Sequence, residues 1–379
     1  MQYHNAILHL DLDAFFAEAE ILQNSALRGR PLIIGGTSGR GVVASCSYEA
    51  RAFGVRSAMP MRNALMLCPD AIVLRGDHER YSRLSATVRE VIADGAPLFE
   101  QASIDEFYLD LTGMDKYIGC WQWSRELRQR ITRETGLPVS FGLSSNKTVS
   151  KVGTGEAKPN GMKMVGPGLE TAFLDPLTVG KLPGVGRETE RKLLFMGVRH
   201  IKTLREIPPQ LLEREFGKPG LSMWKKANGR DESPVVPYRE QDSISKERTF
   251  QTDTIDTRLL NEEIRRMALN LAFELRSKGK LTSCLTIKIR YSDFNTYTRQ
   301  QQIPHTASDS ELLQHAVAIF EKLFERRQLV RLIGVRMSGL VSGAPQLDLF
   351  NDTPREANLM QAMDRIRRRF GGGAIKLAG

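Results

Sequence analysis

The chain opens with an alternation of apolar and polar residues. Residues 7–13 read Ile-Leu-His-Leu-Asp-Leu-Asp. A two-residue period is typical of a β-strand with one buried face, so Asp11 and Asp13 are predicted on its polar face. Good helix formers follow Asp13, which predicts that this residue caps a helix, whereas Asp11 has no comparable structural role.

Patterns of the same kind predict the elements that follow. Helices are predicted at 81–94, 119–134 and 146–157, and strands at 97–111 and 137–144. The resulting strand-strand-helix-strand order, beside the opening strand and helix, predicts an α+β, ferredoxin-like domain.

The second half of the chain has a different pattern. Residues 167–231 are predicted to be helical, and a segment rich in proline, glycine and charge predicts a linker at 232–244. In 245–340, apolar residues alternate with Lys288 and Arg290 in one strand and with Arg336 in the last. We therefore expect a sheet with one apolar and one basic face; the alternatives for the basic face are plain solvation and contact with a phosphate backbone.

A pair of adjacent carboxylates, Asp105 and Glu106, lies between two β-prone runs. Such a pair is often a solvated turn. If Asp11 lies beside them, however, the three carboxylates form the kind of oxygen site that holds Mg²⁺ together with water and substrate phosphates. That arrangement suits two-metal phosphoryl transfer.

Composition narrows the possible functions. A chain of 379 residues predicts two to four domains, and its formal charge of +10 favours a polyanionic partner such as nucleic acid. The apolar stretches are too short to span a bilayer and no leader pattern is present, so a cytoplasmic protein is expected. The four cysteines are scattered, which predicts buried, reduced thiols and neither a zinc site nor disulfides.

Five motifs together resemble the Y-family translesion DNA polymerases, most closely the bacterial DNA polymerase IV group. They occur in the family's order, and the resemblance extends from the start of the chain to about residue 340. The motifs are Asp-Leu-Asp-Ala-Phe-Phe at 11–16, Val-Ala-Ser-Cys-Ser-Tyr-Glu-Ala-Arg-Ala-Phe-Gly-Val at 43–55, Ser-Ile-Asp-Glu at 103–106, Ala-Lys-Pro-Asn-Gly at 157–161 and Leu-Pro-Gly-Val-Gly at 182–186.

This resemblance implies a right-hand polymerase with an α+β multidomain fold. Such a polymerase would have a ferredoxin-like palm, small fingers, a helical helix-hairpin-helix thumb and an α/β little finger. The implied boundaries are palm 1–22 and 78–166, fingers 23–77, thumb 167–231, linker 232–244, little finger 245–340 and tail 341–379.

The resemblance also implies the reaction. A monomer would extend primer-template DNA with dNTPs, using two Mg²⁺ ions held by Asp11, Asp105, Glu106 and the backbone carbonyl of Leu12. No additional domain for a proofreading exonuclease is predicted, and the small residues Gly41, Val42 and Ala44 favour an open pocket. We therefore expect low fidelity and synthesis past damaged template bases.

Further site residues follow from the same motifs. Ser45, Tyr48 and Arg51, in a predicted helical segment, would grip the triphosphate, although a plain exposed helix face is the alternative. Lys158 would contact the phosphates, or simply neutralise a helix C-terminus. Tyr81 would lie close to the nucleotide.

The adjacent aromatic residues Phe15 and Phe16 are assigned different roles. In the family, a ring at the second position excludes ribonucleotides. We assign Phe15 to the core and Phe16 to this steric gate.

Contacts with macromolecules are expected in two places. The hairpin at 181–193 offers Gly184 and Gly186 backbone amides and the Lys181 ammonium to DNA phosphates, and Arg336 does so from the little finger. The tail resembles the peptide that binds the bacterial sliding clamp; its motif residues are Gln346, Leu347, Leu349 and Phe350. An amphipathic helix near 360–370 follows, and its partner is not predicted.

Two competing functions are considered. A nucleotidyl cyclase shares a ferredoxin-like domain with paired carboxylates, but it has no use for the thumb hairpin or the basic sheet. A clamp-tethered DNA-binding protein with a purely structural acidic cluster is the non-enzymatic alternative.

Overall fold

The computed structural model describes residues 5–114, 119–238, 240–325, 327–343, 353–370 and 374–375. The chain divides into two compact units, Met1–Arg239 and Glu240–Gly379. Each unit contains both helices and strands, in agreement with the predicted α+β class. No described helix is long and apolar enough to cross a membrane.

The central feature of the first unit is a five-stranded sheet. Its strands, in sheet order, are β5 (Phe99–Gln101), β6 (Glu106–Asp110), β1 (Ile7–Leu12), β7 (Val139–Ser144) and β8 (Met162–Met164). All neighbours are antiparallel except β7 and β8. The helices of this part are α1 (Phe15–Gln23), α4 (His78–Ala93), α5 (Cys120–Thr135) and α6 (Lys147–Ala157).

The two faces of this sheet are chemically different. Apolar residues from β1, β6 and β7 share one core cluster with residues of α1, α4 and α5. The alternate residues on β1, including His9 and Asp11, face α6. This helix comes so close to β7 that a side chain at Gly142 would collide with the carbonyl oxygen of Ser150. The predicted alternation is confirmed, and it leaves the polar face under α6.

A smaller sheet lies between the two halves of this domain in the sequence. Its strands, in sheet order, are β3 (Val43–Cys46), β2 (Leu32–Gly35) and β4 (Ile72–Leu74), and its helices are α2 (Tyr48–Ala52) and α3 (Met61–Leu67). Ser45 is part of β3, so the prediction that it lies in a helix is wrong. Gly41 allows the chain to approach the carbonyl of Gly36, which gives this glycine a structural role.

The last part of the first unit is helical, as predicted. The helices are α7 (Glu170–Leu174), α8 (Arg187–Phe195), α9 (Ile201–Glu206), α10 (Pro209–Phe216) and α11 (Lys218–Ala227). They share a core with Val149 and Val152 of α6. The following segment is attached to the sheet, because the amide of Val236 donates a hydrogen bond to Glu100.

The second unit contains a four-stranded antiparallel sheet with helices on one face. In sheet order the strands are β11 (Thr296–Thr306), β10 (Lys280–Tyr291), β12 (Val330–Ser338) and β9 (Ser243–Thr254), with the short β13 (Val341–Ser342) beside β10. The helices are α12 (Thr257–Ser277) and α13 (Asp309–Leu323). Apolar residues of β10 and β12 join both helices in one core, as the alternation predicted.

The polar face of this second sheet is less basic than expected. Lys288, Arg290 and Arg336 lie on it, but Lys288 forms an ion pair with Glu247 of β9 at 2.8 Å. The neighbouring β11 contributes threonine and glutamine side chains opposite β10. The face therefore offers mainly uncharged hydrogen-bonding groups with a small excess of positive charge.

Helix α14 (Thr353–Phe370) is joined to α12 and α13 of the same unit by ion pairs. Arg276 of α12 contacts Asp309 of α13 at 2.7 Å and Asp364 of α14 at 2.7 Å, and Arg367 lies 3.4 Å from Asp309. The predicted helix is confirmed. The predicted clamp motif at 346–350 lies outside the described residues.

Candidate active site

Three carboxylate residues come together at one end of β1 and β6. Asp11 lies directly opposite Glu106 in the antiparallel register. The next residue, Leu12, donates its amide to the carbonyl of Asp105 at 3.0 Å. Asp105 lies in the turn before β6, where the Ser103 hydroxyl donates to its carboxylate at 2.6 Å. The structure therefore brings together the residues that the sequence pattern and the resemblance predicted.

Helix α6 and the residue after it face these carboxylates with a stripe of lysines, Lys147, Lys151 and Lys158, which are four and seven residues apart. The ammonium of Lys151 contacts both oxygens of Glu106, at 2.6 and 2.7 Å, and Lys158, just after the helix, forms an ion pair with Asp11. One turn earlier, Lys147 contacts Glu100 at 2.5 Å. Asp11, Glu100 and Glu106 thus each have a lysine partner.

Lysines engage two of the three carboxylates that could hold a metal ion. In the described ranges, no three histidine, cysteine, aspartate or glutamate side chains are arranged to hold a metal ion. Asp11 and Glu106 are bonded to ammonium groups instead. The donor chemistry nevertheless suits Mg²⁺, because three carboxylates and the carbonyl of Leu12 are hard oxygen ligands.

Burial changes the protonation of two residues in this site. It raises the pKa of Asp11 to about 7, with a further increase from Asp105 and Glu106, although Lys158 opposes the shift. Burial also lowers the pKa of His9, so its ring is neutral. His9 Nδ1 lies 2.8 Å from the Thr154 hydroxyl, whereas Nε2 is buried with no hydrogen-bond partner in the described part of the chain.

Asp13 has a role that the sequence did not reveal. The predicted helix cap is wrong, because α1 begins after Ala14 in a left-handed conformation with no side-chain cap. The Asp13 carboxylate instead accepts hydrogen bonds from Ser140 at 2.7 Å, the amide of Asn160 at 2.7 Å and the Tyr48 hydroxyl at 3.2 Å. It therefore connects β1, β7 and α2 beside the carboxylate site.

A basic cavity of about 580 Å³ lies next to Lys158. The lining residues are Tyr48, Arg51, Arg56, Ser57, Lys158 and Lys181. The guanidinium of Arg51 lies over the Tyr48 ring, 4.5 Å from its centre. Of the predicted nucleotide contacts, Tyr48, Arg51 and Lys158 are here, whereas Ser45 is buried in β3. Arg56 and Ser57 were not predicted, and a second arginine close to the Tyr48–Arg51 motif is the signal that was overlooked.

The aromatic residues of α1 point in different directions. Phe15 is buried in the core and Phe16 is partly exposed, in line with the predicted division. Tyr81 stacks on Phe16 and is itself fully buried, with its hydroxyl donating to Glu20 at 2.5 Å. Tyr81 therefore lies against Phe16, and its closeness to the nucleotide stays a prediction.

The predicted DNA-contacting residues lie in two separate places. In the helical hairpin, Gly184 has a φ of +98°, a backbone conformation that favours glycine, and Gly186 immediately precedes α8. Lys181 forms an ion pair with Glu156 of α6 at 2.9 Å. Arg336 is exposed in β12 of the second unit.

Comparison with known proteins decides the family. Residues 10–155 match the model of the impB/mucB/samB family, and residues 241–349 match that of its C-terminal domain. Residues 180–231 match a model described as the thumb domain of DNA polymerase-iota.

Full-length relatives give the same result. A DNA polymerase IV of Dehalococcoides mccartyi is 36% identical over 374 residues, which cover 98% of this chain and 96% of the relative. A DNA polymerase IV of Alkalilimnicola ehrlichii is 38% identical over 350 residues, covering 91% and 99%. A solved Y-family DNA polymerase chimera matches with a TM-score of 0.81 and 26% identity, covering 89% of this chain and 100% of that one.

The chain belongs to the DNA polymerase IV group of the Y family. It is a DNA-directed DNA polymerase of the translesion type, with primer-template DNA and dNTPs as its substrates. The predicted right-hand polymerase fold with palm, fingers, thumb and little finger is confirmed. The nucleotidyl cyclase and the non-catalytic alternatives are thereby set aside.

Proposed function

We propose that nucleotidyl transfer in this Y-family polymerase takes place on Asp11, Asp105 and Glu106, which hold two Mg²⁺ ions together with the carbonyl of Leu12. One observation carries this proposal. The end of β1 and β6 that brings the three carboxylates together also adjoins the basic cavity, through the Asp11–Lys158 ion pair. Oxygen ligands for a cation and cationic side chains for phosphates are therefore next to each other.

When bound, the Mg²⁺ ions activate the primer 3′-hydroxyl and stabilise the charge of the leaving pyrophosphate. The protein's own groups position the reactants. Arg51, Arg56 and Lys158 would bind the triphosphate oxygens, and Tyr48 would donate to them or stay bonded to Asp13. Burial raises the pKa of Tyr48, so its hydroxyl remains a hydrogen-bond donor.

Phe16 is proposed as the steric gate. Its partly exposed ring lies against Tyr81, and we assign the exposed part of the ring to contact with the sugar. A 2′-hydroxyl would collide with a ring held in this way.

The domains are assigned as follows: palm 1–22 and 78–166, fingers 23–77, thumb 167–231, linker 232–244, little finger 245–340 and tail 341–379. Gly184 and Gly186 with Lys181 would contact DNA phosphates from the thumb, and Arg336 from the little finger. Gln346, Leu347, Leu349 and Phe350 would tether a monomeric enzyme to the sliding clamp. We further propose low fidelity and synthesis past damaged bases.

Primer extension by Asp105→Asn tests the metal site. We expect a loss of several kcal/mol in transition-state stabilisation, which is about a thousandfold in rate or more. Asp110→Asn is the matched control, because it makes the same change at the other end of β6, where the side chain accepts from Thr112. Equal activity of the two variants would contradict the proposal.

A further inference from the structure

Lys151 is the residue of the active site that the proposed chemistry leaves without a role. Its ammonium lies within 2.7 Å of both carboxylate oxygens of Glu106. A divalent ion bound to Glu106 needs at least one of those oxygens. Lys151 and the metal ion therefore compete for the same atoms.

The exposure of Lys151 allows its ammonium to move away from Glu106. Its side chain is 35% exposed and that of Glu106 is 22% exposed, so the ammonium can reach solvent by rotation about its flexible stem. Lys147, at the preceding position of the stripe, is different, since its side chain and that of Glu100 are only about a tenth exposed. The Lys147 pair is structural, whereas the Lys151 pair is accessible.

The surroundings of Glu106 also offer a second partner. His9 Nε2 is buried, lacks a hydrogen-bond partner in the described ranges and lies 4.0 Å from Glu106 Oε1. A shift of about 1 Å would bring these atoms within hydrogen-bonding distance. This requires the tautomer with the proton on Nε2, in which the Thr154 hydroxyl turns from the carbonyl oxygens of His9 and Ser150, each 3.0 Å away, to donate to Nδ1. Glu106 can thus exchange a lysine contact for a histidine contact.

We propose that Lys151 is a displaceable internal counter-cation of the metal site. In the protein without DNA it neutralises Glu106 and weakens metal binding there. When primer and nucleotide deliver a divalent ion, Lys151 releases Glu106, and His9 then orients that carboxylate. The metal site therefore binds a divalent ion weakly until the substrates are present. This inference rests on the metal site of the proposed function.

The test measures metal binding to the full-length protein without DNA. Mn²⁺ is titrated into each variant, and free Mn²⁺ is followed by its electron paramagnetic resonance signal. We expect Lys151→Met to bind Mn²⁺ on the order of tenfold more tightly than the unmodified chain. If Lys151 were purely structural, Lys151→Met would bind Mn²⁺ more weakly than the unmodified chain, because the substitution would damage the site.

Two controls accompany it. Lys151→Arg keeps the charge and should bind within about twofold of the unmodified chain. Lys192→Met removes the same charge from an ion pair with Glu215 in the thumb and should leave binding unchanged. Should Lys151→Met fail to fold, Lys151→Gln carries the same expectation.

Unchanged or weaker Mn²⁺ binding in a folded Lys151→Met or Lys151→Gln protein overturns the proposal. Asp105→Asn separates this failure from that of the proposed metal site. If Asp105→Asn leaves Mn²⁺ binding intact, the metal site itself is wrong. If it removes binding while Lys151→Met gives no increase, only the role of Lys151 is refuted.

Discussion

The ring of Tyr81 lies flat against the ring of Phe16, with centroids 4.4 Å apart and planes inclined by 14°. The hydroxyl of Tyr81 is fixed by Glu20, which also contacts Arg80 at 3.3 Å. Phe16 is therefore held from behind by a ring that is itself anchored. A steric gate that excludes a single hydroxyl group needs this kind of support, because a mobile ring could move aside and admit the 2′-hydroxyl.

Substitution of Phe16 should change sugar selection. Phe16→Ala removes the ring, and we expect ribonucleotide incorporation to rise by one or more orders of magnitude, since steric exclusion is lost. Tyr81→Ala should show a smaller increase, because Phe16 remains but loses its support. Single-nucleotide incorporation kinetics with matched dNTP and rNTP measure both, with Tyr81→Phe as the control that keeps the ring. An unchanged preference for dNTPs over rNTPs in Phe16→Ala would show that Phe16 is not the steric gate.

Metal binding should depend on pH through Asp11. Burial raises the pKa of Asp11 to about 7, so below that pH the folded protein without metal carries a proton on this carboxylate. A metal ion must displace this proton, so affinity is reduced below about pH 7 and increases as the pH rises through it. Mn²⁺ titrations at pH 6 and pH 8, with proton release recorded in weak buffer, measure the effect. Equal affinity at both values would show that Asp11 is already ionised.

The ion pairs of Arg276 should stabilise the second unit. This side chain connects α12 to Asp309 of α13, which is fully buried, and to Asp364 of α14. Arg276→Ala leaves two buried carboxylates without this partner, and we expect a loss of about 3 kcal/mol in the free energy of unfolding. Urea unfolding followed by circular dichroism measures it. Arg258→Ala, on the same helix, serves as the control.

The tail motif should bind the sliding clamp. Leu349→Ala combined with Phe350→Ala removes the two apolar anchors, and we expect clamp affinity to fall by at least tenfold. Surface plasmon resonance on immobilised clamp provides the measurement, with Asn351→Ala as the adjacent control. Full affinity in the double variant would contradict the assignment.

The sequence predicted the acidic end of the sheet well, for a physical reason. Leucines at alternate positions of β1 must be buried, so Asp11 necessarily faces the other side. Its neighbours Asp105 and Glu106 belong to a different strand, and their proximity followed from the family resemblance and the expected antiparallel pairing. The local alternation predicted which face of β1 Asp11 occupies. The expected pairing of β1 with β6 predicted that Asp105 and Glu106 lie beside it.

Other features depended on information that a local pattern does not contain. Lys147 and Lys151 are four residues apart, so the sequence predicts that they share one face of α6. Their carboxylate partners cannot be predicted in this way, because they depend on which strand lies under each turn of the helix. The strand β11 is rich in threonine and glutamine, so it lacks the apolar alternation by which β10 and β12 were found. The function of Asp13 depends on three donors that come from distant parts of the chain.

The close approach of α6 to β7 at Gly142 has a consequence for the whole catalytic centre. A methyl group at this position would lie about 2.1 Å from the Ser150 carbonyl, so the helix would have to rise. Lys151 and Lys158 would rise with it, away from Glu106 and Asp11. Gly142 itself carries no catalytic group. Because it has no side chain, however, it sets the distance between the lysines of the helix and the carboxylates of the sheet.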